Sequence, residues 1–325
     1  MIFITKKQIE DLGITPLQCV EWVDEGFKMK YRSQMPAKTA IHLPDSLDFF
    51  MTMPCLLPPE IGVFGCKNAS RFACAHPSVK SYMMLCDANN GDFLANIDCD
   101  WITPWRTGGV AALAIKTFQN SSAKIYSFMG LGCAGTAALE CFLAINQDRD
   151  ITVRLLHYKD HAERFVKSHS HYSNVTFEIV FNIEDLVRDA DVITSAITQA
   201  PALLVNDTSL FKKGCLLVPI HTRGFQNCDL VFDKIFGDDT NQIAGFQYFN
   251  RFKSFNEFGK VLLNEVPGRE NDEERIIAYN IGLGLHDVLF AHKIISMLES
   301  ETQCTENQNI TPPPCIISDY NGCAA

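Results

Sequence analysis

Three glycines spaced G-x-G-x-x-G, at Gly130, Gly132 and Gly135, mark a place where the backbone itself is suited to bind a ligand. The first permits a tight turn, the second lets a pyrophosphate approach the main chain, and the third lets a helix pack closely on a strand. Cys133 and Ala134 lie inside the motif, so their amides belong to the helix N-terminus that faces the negative charge. This chemistry calls for a dinucleotide, NAD or NADP. The choice between them is set at the end of the following strand, where an acid favours the ribose 2′-hydroxyl and a cation accepts a 2′-phosphate. In His157-Tyr-Lys-Asp-His the two candidates, Lys159 and Asp160, are adjacent, and the sequence leaves the choice open.

A cradle of this kind needs a strand before it and a helix after it. Ile125, Tyr126, Phe128 and Met129 are apolar without helical spacing and read as the strand, while Thr136 to Ile145 is a small-residue and apolar run suited to the helix. Strands and helices then alternate: 152–157 strand, 161–168 helix, 176–180 strand, 183–189 helix, 191–196 strand, 215–220 strand. Such alternation predicts an α/β, Rossmann-type, doubly wound parallel sheet. Asp229 to Phe232 is expected to continue that sheet, Gly259 to Pro267 to form a helix or hairpin, and Ile281 to Leu298 to form the last helix. Upstream, Ile2 to Thr5 reads as a strand, Thr5 and Thr15 each open a helix, and Val20, Val23, Phe27 and Tyr31 recur at helical spacing. Residues 38–43 pair with 48–53, 61–66 form a strand that Lys67 ends, and 81–86 pair with 93–98. Trp101 to Lys116 leads into a small-residue helix. The first part is thus a second, mixed α+β unit.

The composition narrows the class of partner. Lys and Arg number 28 against 38 Asp and Glu, a net charge of −10, which argues against nucleic acid or an anionic membrane. At 325 residues, 47% hydrophobic and 20% charged, the chain has enough apolar material for two packed units. Its 13 cysteines are scattered without C-x-x-C or zinc spacing, so buried reduced thiols are expected and no metal. Charge arrives at Lys6, too early for a secretory segment, and no run approaches the ~18 apolar residues of a membrane helix. A cytosolic protein is expected.

Five segments in order resemble the ornithine cyclodeaminase and mu-crystallin family. Asp87 to Gly91 with Leu94 and Ile97 is similar to its Leu-Asn-Asp-x-x-x-Gly hairpin, and Trp101 to Gly108 to its Trp-Ile-Thr-x-x-Arg-Thr-Gly signature. Gly130 to Gly135 resembles its cofactor turn, and Gly259 to Arg269 and Ile281 to Asp287 resemble two later blocks. The resemblance implies a homodimer with a substrate and dimerisation domain at 1–118 plus 276–300 and a dinucleotide domain at 119–275. The polar, proline-containing tail at 301–325 is expected to hold little fixed structure.

The resemblance also implies a substrate with an α-carboxylate, which an acidic protein must hold with planted cations. Arg106 offers a bidentate fork and Lys67 a point charge; by resemblance both belong to a carboxylate clamp, with Lys38 where the family more often has Arg. Thr107, in the same signature, is carried to the cofactor side, and Asp287 to a position near the nicotinamide. The family's cyclodeaminases have an Asp in a Val-Gly-Ala-Asp pattern after the strand at 216–220; here the sequence reads Val-Pro-Ile-His, with His221 in its place. Nor is an acid for a distal amine evident near Phe49 to Met53, since Asp45 and Asp48 read as turn or exposed-strand carboxylates. With an ordinary value of ~6.5, His suits proton donation to an imine or amine. The expectation is therefore an NAD(P)-dependent reductase of a cyclic imino acid or an amino-acid dehydrogenase. Ornithine cyclodeaminase, an N-(2-amino-2-carboxyethyl)-glutamate synthase and a non-catalytic ligand-binding protein stand as alternatives.

Overall fold

The computed structural model describes residues 2–308 apart from positions 47, 76, 199 and 222, with side chains described to residue 300. The chain forms two sheets. The first is built from β1 (Ile2–Ile4), β2 (Thr39–His42), β3 (Phe49–Leu56), β4 (Val63–Arg71), β5 (Val79–Asp87) and β6 (Phe93–Asp98), with α1 (Lys6–Asp11) and α2 (Pro16–Met29) inserted after β1. Their order is β1-β6-β5-β4-β3-β2, antiparallel except where β1 runs parallel to β6. Both helices open on a Thr-x-x-Gln capping box: Thr5 and Thr15 each accept from the backbone three residues on, while Gln8 and Gln18 reach back.

The second sheet follows α3 (Ile102–Phe118). It contains β7 (Ile125–Met129), α4 (Cys133–Ala144), β8 (Ile151–Leu156), α5 (His161–His169), β9 (Val175–Val180), α6 (Ile183–Val187), β10 (Val192–Ser195) and β11 (Leu216–Pro219). Then come β12 (Lys234–Gly237), α7 (Thr240–Ile243), β13 (Phe255–Glu257), α8 (Phe258–Leu262), β14 (Ile276–Tyr279) and α9 (Gly284–Gln308). All pairings in the order β13-β12-β14-β11-β10-β7-β8-β9 are parallel. The fold is the α/β, Rossmann-type doubly wound sheet with a mixed α+β unit that the alternation predicts. Chain order reverses between β7 and β10, the crevice where open parallel sheets bind ligands.

Several boundaries differ from the expectation. Residues 228–230 form a 3₁₀ turn, and the sheet resumes only at β12. β14, assigned by the boundary at 276 to the first unit, lies inside the parallel sheet between β11 and β12. All four of its residues are buried, which is the signature of a strand covered on both faces. Lys67 stands in the middle of β4, not at its end. α9 starts at Gly284 because Gly282, with φ +90°, turns the chain before it, and it extends to Gln308 where the tail was expected to be irregular. The rest of that tail, 309–325, lies outside the described residues.

α3 joins the two units. A Cβ on Gly108 would stand 2.5 Å from the carbonyl carbon of Ala137 in α4, so only glycine allows this approach. Farther along α3, Phe118 stacks on Phe236 of β12 with centroids 4.3 Å apart and packs against Phe258 of α8. Ten cysteines among the described residues are free, and six are buried. No helix of the described residues is long and apolar enough to cross a membrane.

Candidate active site

The glycine motif adopts the strand, turn and helix that its spacing requires. Gly130 has φ +84°, and a Cβ there would lie 2.6 Å from the carbonyl carbon of Ala196, which follows β10. A Cβ on Gly135 would lie 2.1 Å from the Gly130 carbonyl oxygen, so the third glycine seats the helix on the turn itself. At Gly132 a Cβ meets nothing within 4 Å, so this glycine borders open space. α4 has no side-chain cap, leaving the first-turn amides of Cys133, Ala134 and Gly135 toward that opening. These features fit a pyrophosphate: an uncapped helix start beside a glycine with room in front of it.

Lys67, Arg106 and Asp287 come from β4, α3 and the first turn of α9 and meet on one oxygen. Lys67 Nζ donates to Asp287 Oδ1 at 2.7 Å and Arg106 Nε donates to the same atom at 3.0 Å. Asp287 is 0% exposed and Lys67 1%, so the charges are held away from water. Burial pushes the Asp287 carboxyl up, but Arg106 and then Lys67 outweigh it and hold it below the usual range. Burial likewise pushes Lys67 down, with Asp287 opposing. Among the described residues Asp287 Oδ2 has no hydrogen-bond partner. A buried carboxylate oxygen without a donor is costly and wants one.

Lys38 reaches the same group from just before β2. Its Nζ donates to the Ile281 carbonyl at 2.5 Å. Burial pushes this amine down to about 8; the nearby Arg106 and Lys67 add to the shift, while Asp238 and Asp287 oppose it. Asp238, which the sequence reading missed, accepts from the amides of Ile281 and Gly282 at 3.0 and 2.7 Å. It thereby fixes the loop that Lys38 binds. Gly282 faces Arg106: a Cβ there would be 2.7 Å from Arg106 Nη1. A carboxylate at the end of a buried apolar strand, as in Phe236-Gly-Asp, is the signal that marks Asp238.

His221 stands just beyond β11. The last backbone bond between β11 and β14 runs from the Asn280 amide to the Pro219 carbonyl at 3.0 Å, two residues before His221. Its Nε2 lies 2.6 Å from Ser195 Oγ at the end of β10, a partner the sequence reading also missed. Burial pushes the ring down to about 4, only partly opposed by the Arg223 backbone. The resting imidazole is therefore neutral, not the ready proton donor expected from its ordinary value. Among the described residues no hydrogen bond joins His221 directly to the Lys67 group. Thr107 lies beside the cradle on α3, but its hydroxyl is donated to its own helix, at 2.7 Å to the Thr103 carbonyl. Lys159 and Asp160 are exposed in the turn after β8, Lys159 with φ +53°.

Fold and site together define a protein of the dinucleotide-fold class with a buried cluster of cations around a carboxylate. Within that class, the sequence profile of the ornithine cyclodeaminase/mu-crystallin family matches residues 2–302, and the chain belongs to that family. The nodulation efficiency protein NfeD of Rhizobium meliloti is 25% identical over 230 residues, covering 69% of this chain and 71% of the relative. A Delta(1)-pyrroline-2-carboxylate reductase of Bacillus thuringiensis subsp. konkukian is 24% identical over 231 residues, 66% of this chain and 70% of that one. Among solved structures, the Thermococcus litoralis Delta(1)-pyrroline-2-carboxylate reductase in complex with NADH and L-proline has a TM-score of 0.82 at 18% identity. That match covers 93% of this chain and 98% of the other, and it carries the fold.

Proposed function

We propose that the chain is an NAD(P)-dependent enzyme that transfers hydride at the α-carbon of an amino or imino acid, working as a reductase of a cyclic imino acid. The charge pattern at Asp287 carries this reading. Lys38, Lys67 and Arg106 act on one another in the same pocket as two carboxylates, Asp287 and Asp238, so cations are in excess. Beside them a buried oxygen, Asp287 Oδ2, lacks a donor. A protonated α-imino acid, an iminium, is the complement of both features, with a carboxylate for the cations and an N–H for the oxygen.

In this reading Arg106 and Lys38 hold the substrate carboxylate, and Asp287, kept ionised by Arg106 and Lys67, accepts from the substrate nitrogen. The bound nicotinamide supplies or receives the hydride. Gly130, Gly132, Cys133, Ala134 and Gly135 hold its pyrophosphate. Orienting two reactants in this way is the larger part of what the protein contributes. His221, neutral at rest, is suited to accept a proton when an amine is oxidised; in the reducing direction the substrate would enter already protonated as the iminium, so that hydride alone completes the amine. A neutral ring cannot offset the charge of an ammonium group as a carboxylate can, which supports net reduction over ring-forming deamination. The pyrroline-2-carboxylate reductases among the relatives support the same direction.

Ligand binding tests this without turnover. L-Proline, with both carboxylate and amine, is expected to raise the melting temperature of the protein loaded with oxidised cofactor. Prolinamide, lacking the carboxylate, and tetrahydrofuran-2-carboxylate, lacking the N–H, are expected to do so far less. Equal effects of all three compounds would show that the pocket does not read the two groups.

A further inference from the structure

The sheet settles a register that the sequence leaves open at the ribose of the cofactor. In a dinucleotide fold, selection of NAD is the work of a carboxylate at the end of the second strand, roughly twenty residues beyond the glycines, which bonds the ribose 2′-hydroxyl. That strand is β8, which ends at Leu156; His157 follows, its amide still tied to the sheet through the Val180 carbonyl at 2.8 Å. Neither of the nearby carboxylates stands there. Asp160 precedes α5 and lies 3.3 Å from Arg164 Nε on that helix. Glu163 is one turn into α5 and lies 2.8 Å from His157 Nδ1. Between strand and helix stands Lys159, exposed and held in the left-handed region at φ +53°. Its amine lies over the Tyr158 ring, 5.3 Å from the centroid, and among the described residues no carboxylate is within ion-pair distance of it.

We infer that this chain selects NADP(H) over NAD(H), with Lys159 pairing with the 2′-phosphate and His157 occupying the strand-end position where an NAD enzyme keeps its acid. A carboxylate at that position repels a phosphate monoester, and its replacement by an imidazole removes the repulsion. Lys159 then adds a charge-assisted bond that a ribose hydroxyl cannot match. Asp160 lies against Arg164 and Glu163 against His157, and among the described residues neither is within ion-pair distance of Lys159. The inference rests on the hydride-transfer reading, and its test separates the two.

Binding of NADPH and of NADH to the full chain, followed by fluorescence quenching with no substrate present, is the measurement. NADPH is expected to bind more tightly by roughly tenfold or more, the scale of one charge-assisted contact. Adenosine 2′,5′-bisphosphate should displace it at lower concentration than ADP. Lys159→Gln should narrow the gap by weakening NADPH more than NADH, and His157→Asp should reverse the preference. NADH binding at least as tightly as NADPH to the unaltered protein would overturn the inference while leaving the hydride-transfer reading intact. Equal weakening of both cofactors by Lys159→Gln would also overturn it. Failure of either cofactor to bind would overturn both.

Discussion

In the proposed reading Lys38 carries two opposed demands: its charge is to hold an anion, yet its burial disfavours that charge. With a folded value of about 8 against 10.5 unfolded, the unfolded chain keeps the proton between those limits while the folded chain does not. Its contribution to stability therefore rises with pH across that window, and below it the charged amine is a cost to the fold. Lys38→Met should raise the melting temperature at pH 7 while weakening L-proline binding, a combination that a purely structural lysine does not give. In the unaltered protein, substrate affinity should fall as pH rises through about 8. His221 and His286 bear on the acid side. Burial pushes them down to about 4 and about 3, so the unfolded chain binds more protons from ~6.5 downward and their contribution to stability is lost as pH falls. His286→Leu should flatten the pH dependence of the urea midpoint between 6.5 and 4; an unchanged slope would remove His286 as a cause. Motif positions made Lys67, Arg106 and Asp287 legible in the sequence. The sharing of one carboxylate oxygen, the neutrality of His221 and the roles of Ser195 and Asp238 were not, because each depends on burial and on neighbours from distant segments.

Among the elements, the loop between β14 and α9 has the most exacting geometry. Gly282 combines φ +90° with contact against Arg106, and Asp238 grips its amide. Gly282→Ala should displace the guanidinium and raise KM for the imino acid by roughly tenfold or more, given how strongly rates depend on orientation. Cofactor affinity, which the proposed reading assigns to the glycine cradle, should change much less. Loss of cofactor affinity to the same extent would instead mean that the loop supports the whole fold. The sequence made the strand–glycine–helix element and the alternation after it legible, because each local pattern has one structural solution. It was less informative around β12, β13 and β14, each of four residues or fewer. Such short runs have no periodicity to read, and the placement of β14 follows from pairing with β11 and β12 far away in sequence.

On the scale of the whole molecule, the outward face of the first sheet carries several large apolar side chains among its polar ones. Phe3, Ile41, Phe50, Tyr82 and Met84 are all exposed, with Ile41 at 71% and Phe50 at 51%. We propose that this face meets a second copy, as the family resemblance implies. Light scattering should then give twice the 36.4 kDa chain mass, and Phe50→Asp combined with Tyr82→Asp should give a monomer. A wild-type monomer at micromolar concentration would contradict it. The direction of chemistry is tested most directly by incubating the protein with Delta(1)-pyrroline-2-carboxylate and NADPH or NADH, with product and cofactor quantified together; L-ornithine and NAD form the parallel arm. The account predicts one proline formed per reduced cofactor consumed, and no ammonia from ornithine. Proline and ammonia from ornithine without net change in cofactor would contradict it, and would mean that ring-forming deamination proceeds with His221 in place of the carboxylate.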